Sequence, residues 1–221
     1  MCAIVGFSST NVTTEDIFIL KRVMVESRIR GKHASGIAWC NTKGSIESFV
    51  QPIPIDQLVE TFDFSQVVNK GKATLIAHAR YSTSDIKYNQ PIVGADCAIV
   101  HNGVITQSDP SGWQETYGYK CKTKNDSELL LHCIENGLNP YQVFPVSSFA
   151  AIVMNVNSEL IPIRNGLRPM WKGKIGKGIV YASTYDILRR AGVQNISKIT
   201  CPDEDLQRRN WTQWETHKPL V

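Results

Sequence analysis

Many of the strand-like runs in this chain are apolar without interruption, where a strand wet on one face would alternate polar and apolar residues. Cys97 to Val100 and Phe149 to Met154 are of this kind, and Ala73 to Ala77 is broken by Thr74 alone. A continuous apolar run requires cover on both faces. Two sheets, each covered by helices on its outer face, meet that requirement. The runs predicted as strands are Cys2–Phe7, Ile37–Cys40, Ser45–Val50, Ala73–Tyr81, Cys97–Thr106, Phe149–Asn155, Leu160–Arg164 and Gly178–Ser183. Helices are predicted over Ile17–Ser27, Ile55–Phe62, Asp126–Asn136 and Tyr185–Ala191. The first helix has cap chemistry at Thr13 to Asp16 and an apolar stripe of Ile17, Leu20 and Met24, and Gly31 closes it.

Length and charge narrow the classes that remain. A layered α/β domain of 221 residues can bury a core without metal or disulfides. The net charge is +4, from 24 basic and 20 acidic residues, with no block of like charges. A nucleic-acid binder would carry a basic stripe with interleaved aromatics, so no nucleic-acid partner is expected. The composition argues equally against a membrane-spanning protein. None of the six cysteines is spaced C-x-x-C, which removes the usual zinc-ribbon and redox signatures. With no secretory leader in view, reduced thiols in a cytoplasm are expected. His33, His132 and His217 show no metal-like spacing, so neither metal nor cofactor is expected. The tail 202–221, with Trp211 and Trp214, reads as a closing strand or a partner-facing tail of one domain spanning 1–221.

Four short clusters carry chemistry, and each has an ordinary structural reading beside it. Cys2 follows the initiator methionine, and removal of Met1 would leave a free α-amine whose reference pKa of about 7.7–8.0 suits a general base for the thiol; otherwise Cys2 is a small apolar residue in an edge strand. Arg80 ends an apolar run with a fork of donors that fits a carboxylate, or is a solvated rim residue. His101-Asn102-Gly103 is a hairpin signal, or an oxyanion hole from the Asn102 amide and the Gly103 N–H. Asp126 precedes Leu129-Leu130-Leu131 as a helix N-cap, or receives an ammonium group. His78 and His101 are read as structural histidines hydrogen-bonded in the core.

In this order the clusters resemble the class II glutamine amidotransferases, members of the N-terminal nucleophile hydrolases. The resemblance covers Met-Cys-Ala-Ile-Val-Gly at 1–6, Arg-Gly-x-x-Ala-Ser-Gly-Ile at 30–37 and His-x-Arg-Tyr-Ser-Thr at 78–83. It continues through His-Asn-Gly at 101–103, Asn-Asp-Ser-Glu at 125–128, Asn165-Gly166-Leu167-Arg168-Pro169 and Tyr181-Ala182-Ser183-Thr184. It implies an α+β fold, a four-layer αββα sandwich of two mainly antiparallel sheets. It also implies glutamine as substrate, with Cys2 as nucleophile and Asn102 and Gly103 as oxyanion donors. Arg80 would hold the α-carboxylate and Asp126 the α-ammonium. Tyr81 and Thr83 would line the closing loop, and Arg30 would support the nucleophile's pocket. Lys32-His33 and Ser84 depart from the family pattern without replacing a reacting group.

No phosphate-loop or dinucleotide fingerprint appears, so ammonia is expected to pass to a separate synthetase or transferase from a stand-alone glutaminase. Two alternatives stand beside this expectation: a hydrolase of γ-glutamyl peptides or other amides, and a non-catalytic regulatory subunit with this fold. If Met1 stays in place, the amine is blocked and the chain is an inactive precursor.

Overall fold

The structure, a computed structural model, describes residues 1–82, 87–165 and 168–200. One sheet contains β1 (Ala3–Ser9), β2 (Ala34–Cys40), β3 (Ile46–Gln51), β4 (Val68–Asn69), β5 (Lys72–Arg80), β10 (Trp171–Ile175), β11 (Gly178–Ala182) and β12 (Gln194–Lys198). Its order is β12-β10-β11-β1-β5-β2-β3, with β4 paired to β5. The other sheet contains β6 (Ile92–Val93), β7 (Cys97–Val104), β8 (Ser148–Asn155) and β9 (Leu160–Arg164), in chain order. All pairings among the described residues are antiparallel.

The unbroken apolar runs are explained by two different cores on the two faces of each strand. Ala3, Val5 and Phe7 of β1 face the helices α1 (Thr14–Glu26), α2 (Ile55–Thr61) and α6 (Tyr185–Ala191). Ile4 of the same strand, with Ile76 of β5 beside it, faces the second sheet and its Ala98, Val100, Ala150, Ile152 and Met154. The outer face of the second sheet buries Ile99, Phe149 and Val153 under α4 (Ser127–Glu135), with α3 (Trp113–Tyr117) and α5 (Pro140–Val143) beside it. The architecture is therefore the four-layer αββα sandwich. Gly6 lets the sheets approach, since a β-carbon there would lie 3.1 Å from Ile152.

Helix α1 starts in a capping box: Thr13 accepts from Asp16 N–H and Asp16 accepts from Thr13 N–H. The helix continues into a short 3₁₀ turn at Ser27–Ile29, so it ends before Gly31. Gly31 serves close approach instead, because a β-carbon there would lie 2.3 Å from Ala79 O. The expected tail element at 202–221, with Trp211 and Trp214, lies outside the described residues. Among the described residues no helix is long and apolar enough to cross a membrane.

Candidate active site

Strand pairing brings the clusters together at one end of the sandwich. Ala3 is paired with Ala79, so Cys2 emerges beside Arg80 at the end of β5. Two contacts fix this terminus: Ile4 N–H donates to the buried Ser183 Oγ at 2.9 Å, and Arg30 Nε donates to Cys2 O at 2.9 Å. Partial burial pulls the Arg30 guanidinium below its ordinary value; nearby Cys2 opposes this and Arg168 adds to it. Met1 Sδ lies 3.5 Å from Arg30 Nη2 and 3.8 Å from Arg168 Nη1.

From the second sheet come Asn102 and Gly103, and they are not a hairpin turn. β7 runs straight through them, pairing Asn102 with Ala150 and Gly103 with Phe149. Phe149 N–H donates to Asn165 Oδ1 and Phe149 O accepts from Asn165 N–H, both on the side away from β7. Gly103 and Phe149 are therefore a non-hydrogen-bonded pair, and the Gly103 N–H points away from β8. That is also the side to which His101 N–H points, where it donates to Gln90 Oε1 at 2.5 Å. Gly103 has φ +153, and a β-carbon there would lie 1.9 Å from Ser148 O, so this position admits glycine alone.

Arg80 and Asp126 complete the rim. Arg80 Nη1 donates to Tyr88 O at 2.5 Å and Asn89 Oδ1 at 2.7 Å, which fixes the guanidinium against the segment 88–90. Asn125 Nδ2 donates to the same Tyr88 O at 3.1 Å. Asp126 stands at the N-cap position of α4, but its side chain makes no cap hydrogen bond. Its Oδ2 instead accepts from Ile105 N–H at 2.7 Å, tying the helix start to the residue after β7. Ser127 N–H donates to Asn125 Oδ1 at 3.1 Å, so Asn125 carries the local side-chain contact. Tyr81 packs on the His33 ring at 4.8 Å, and His33 Nδ1 accepts from Ser82 N–H at 2.9 Å. The Lys32-His33 departure thus supplies its own tie to this loop. Thr83 and Ser84 lie outside the described residues.

These residues line one cavity of about 600 Å³, including Cys2, Arg80, Tyr81, Asn102, Gly103 and Asp126. Arg30 reaches the site through the Cys2 carbonyl and Met1 Sδ and does not itself line the cavity. Sequence reasoning missed several lining residues: Tyr88, Gln90, Lys124 and Arg168. The polar run Tyr88-Asn89-Gln90 before Pro91 was the available signal for the first two. Asn102 Nδ2 is buried and has no hydrogen-bond partner among the described residues. An orphaned buried donor costs about 1–3 kcal/mol, so its place on a cavity wall points to a ligand acceptor.

The two motif histidines differ from each other. His101 Nδ1 hydrogen-bonds Ser127 Oγ at 2.9 Å, as expected of a core histidine. His78 is buried between the sheets, and its ring lies against the His101 backbone, but among the described residues neither ring nitrogen makes a hydrogen bond of good geometry, unlike the satisfied ring expected. Burial, then the charges of Arg80 and His101, push His78 down to about 3. Burial also lowers His101, with Asp126 opposing. An unfolded histidine titrates at about 6.5. Between pH 6.5 and about 3 the unfolded chain binds a proton that folded His78 refuses, so stability is full above this window and falls with pH inside it. The loss for His78 is about 1.4 kcal/mol per pH unit within the window. Urea midpoints should drop from pH 7.5 to pH 5, and His78→Leu should flatten that drop; an unchanged slope in the variant would contradict the assignment.

A family model for a glutamine amidotransferase domain matches residues 78–190. No curated protein matches the sequence. Among solved structures the chain is similar to the glutamine phosphoribosylpyrophosphate amidotransferase of B. subtilis in complex with ADP and GMP, at 21% identity and TM-score 0.67 over 90% of this chain and 46% of that one. A structure described as the allosteric regulatory enzyme of purine biosynthesis gives 21% identity and TM-score 0.68, over 90% of this chain and 45% of that one. A class II domain protein from Silicibacter pomeroyi, described as a glutamine aminotransferase, gives 11% identity and TM-score 0.53, over 90% and 92%. The chain spans less than half the length of the first two. At these identities the likeness establishes the fold.

Proposed function

Because the chain belongs to the glutamine amidotransferase domain family, we propose that residues 1–221 form one class II domain that splits glutamine with the thiol of Cys2. The observation that carries this reading is the convergence of Cys2, Arg80, Asn102, Gly103 and Asp126 on one cavity. Removal of Met1 frees the α-amine of Cys2. That amine takes the thiol proton, and Sγ attacks the side-chain carbonyl carbon of glutamine. The carbonyl π pair moves to oxygen, which the Asn102 amide and the Gly103 N–H hold by hydrogen bonds. Collapse of the tetrahedral adduct breaks the C–N bond, and the ammonium returns its proton to the departing nitrogen as ammonia. Water, deprotonated by the same amine, then attacks the thioester and releases glutamate.

A zwitterionic head group needs one fixed cation and one fixed anion, roles assigned to Arg80 and Asp126. Tyr81 and Thr83 are assigned to the loop over the substrate, and Arg30 to holding the Cys2 carbonyl. The thiol must stay reduced, so a cytoplasmic setting belongs to the same proposal. So does transfer of ammonia to an accepting synthetase or transferase. Free ammonium has no lone pair to react, which favours direct delivery to that acceptor.

Asn102→Ala should lower kcat by roughly 10²–10³-fold with a smaller change in KM, because the donor is used mainly in the transition state. Steady-state glutamate release measures this, and a change confined to KM would remove Asn102 from the oxyanion role. Intact mass after incubation with a glutamine-analogue electrophile tests the whole reading. The expected product has lost Met1 and gained one adduct on Cys2; an unlabelled chain lacking Met1 would overturn it. A cavity of about 600 Å³ is in the range of sites for drug-sized ligands, which favours γ-glutamyl peptides as a second substrate reading. Comparing glutamate release from glutamine and from a γ-glutamyl dipeptide separates the two.

A further inference from the structure

Cys121, Glu128 and His132 converge at α4, and none of them lines the cavity of the proposed reacting groups. Glu128 and His132 stand one turn apart on the helix, and Cys121 comes from the segment before it. Their donor atoms all lie within 4.8 Å of one another. His132 Nε2 is 3.7 Å from Glu128 Oε1. That separation is too long for a hydrogen bond. It is close to the about 3.3–3.6 Å between ligands around a tetrahedral Zn²⁺, as its bond lengths imply. His132 Nε2 is also buried and has no hydrogen-bond partner among the described residues.

The surroundings suit a cation. Glu128 is buried and held by Lys122 N–H at 2.7 Å on Oε1, and by Thr123 N–H and Oγ1, each at 2.6 Å, on Oε2. A carboxylate offers about four lone-pair sites, so these bonds leave room for a metal ligand bond. Glu135 Oε2 lies 3.8 Å from His132 Nδ1, on the side where a carboxylate orients a metal-binding imidazole. Tyr119 stacks on the same ring at 5.5 Å. Burial and the Glu128 charge push the Cys121 thiol up to about 11, and a bound cation reverses that balance by taking the thiolate. His132 and Cys121 are only part-buried, which leaves an entry path.

We propose that Cys121, Glu128 and His132 form a site for a divalent cation of the Zn²⁺ type, with water in the fourth position. A thiolate and an imidazole beside one carboxylate favour zinc over magnesium or calcium. Glu128 stands four residues before His132 on the same helix face, a spacing that lets both side chains reach one ion. A metal here would cross-link the segment 121–126 to α4. That segment carries Lys124, Asn125 and Asp126, all on the cavity wall, so the ion would steady the site without entering it. The proposal stands independently of the amidotransferase mechanism.

The test uses the full chain stripped of metal by chelator, with Cys2→Ala as the parent so that the cavity thiol cannot compete. Cobalt(II) titration should give one equivalent with thiolate charge-transfer absorption and tetrahedral d–d bands, displaced by Zn²⁺. Zn²⁺ should also raise the melting temperature of the parent. Cys121→Ser should remove the charge-transfer band. His132→Gln should weaken binding by more than the roughly 10–100-fold that loss of an outer partner costs. Absence of an equivalent in the folded parent, or binding unchanged in either variant, overturns the proposal.

Discussion

In the Cys2→Ala chain, glutamate release from glutamine is expected to fall by at least about 10⁴-fold, the scale on which loss of a covalent nucleophile acts. Alanine at position 2 is still small enough for Met1 removal, so the loss reports the sulfur and not the maturation step. Cys2 is only part-buried and precedes β1, so the melting temperature should barely move; surface changes of this size stay within about 0.5 kcal/mol. A glutaminase assay beside a thermal melt separates the two effects. Residual hydrolysis near the parent rate would leave Cys2 a structural residue and sink the mechanism. Catalysis lost together with stability would leave the role of the sulfur undecided, and intact-mass labelling of the parent would then decide it.

Gly103→Ala is expected to damage both fold and activity, with the larger effect on the fold. The new β-carbon would meet Ser148 O at 1.9 Å and Phe149 Cα at 2.8 Å, and φ is +153. Both clashes are with backbone of β8, the central partner of β7, so no side chain can swing aside. Strained backbone costs on the order of 1–3 kcal/mol, and the steric clash adds to it, so a loss of about 3 kcal/mol or more is expected. The proposed oxyanion donor is the N–H of this same residue, so any fraction that folds should also be slow. Urea denaturation with glutamate release on the soluble fraction measures both. An alanine variant with the parent's midpoint and rate would show that β7 can shift freely here.

Much of the fold was legible because long apolar runs and capped helices are local signals. Leu160–Arg164 and Tyr185–Ala191 match their predicted bounds, and most other predicted runs match within a few residues. The short elements Val68–Asn69, Ile92–Val93, Trp113–Tyr117 and Pro140–Val143 were not legible, nor were the two strands at one end of the larger sheet. Trp171–Ile175 alternates lysine with buried residues around Gly173, and a β-carbon on that glycine would lie 2.3 Å from Val193, a neighbour far along the chain. Gln194–Lys198 is polar and mostly exposed at the sheet's end, so it carries no apolar run. Asn102-Gly103 carries the strongest local hairpin signal, yet pairing with β8 overrides it. The side chain of Asp126 turned from its helix to Ile105, twenty-one residues earlier. Cys2, Arg80, Asn102, Gly103 and Asp126 stood out by their motifs; Tyr88 and Gln90 lie in a plain polar run and Arg168 in a turn-like segment, and only the fold brings those three to the wall.

The proposed nucleophile enters from one sheet and the proposed oxyanion donors from the other. Nothing covalent nearby sets their separation. It is set by the filling of the seam: Gly6 against Ile152, and Ala38, Ala98 and Ala150 beside Ile4, Ile76 and Val100. The seam thus works as a gauge block, transmitting the thickness of its side chains to a reaction some distance away. An error of about 1 Å in such positioning can cost about 10²-fold in rate. Heat that loosens these small-residue contacts would open the gauge while both sheets still hold their hydrogen bonds, and the temperature of fastest turnover would then lie below the temperature of unfolding.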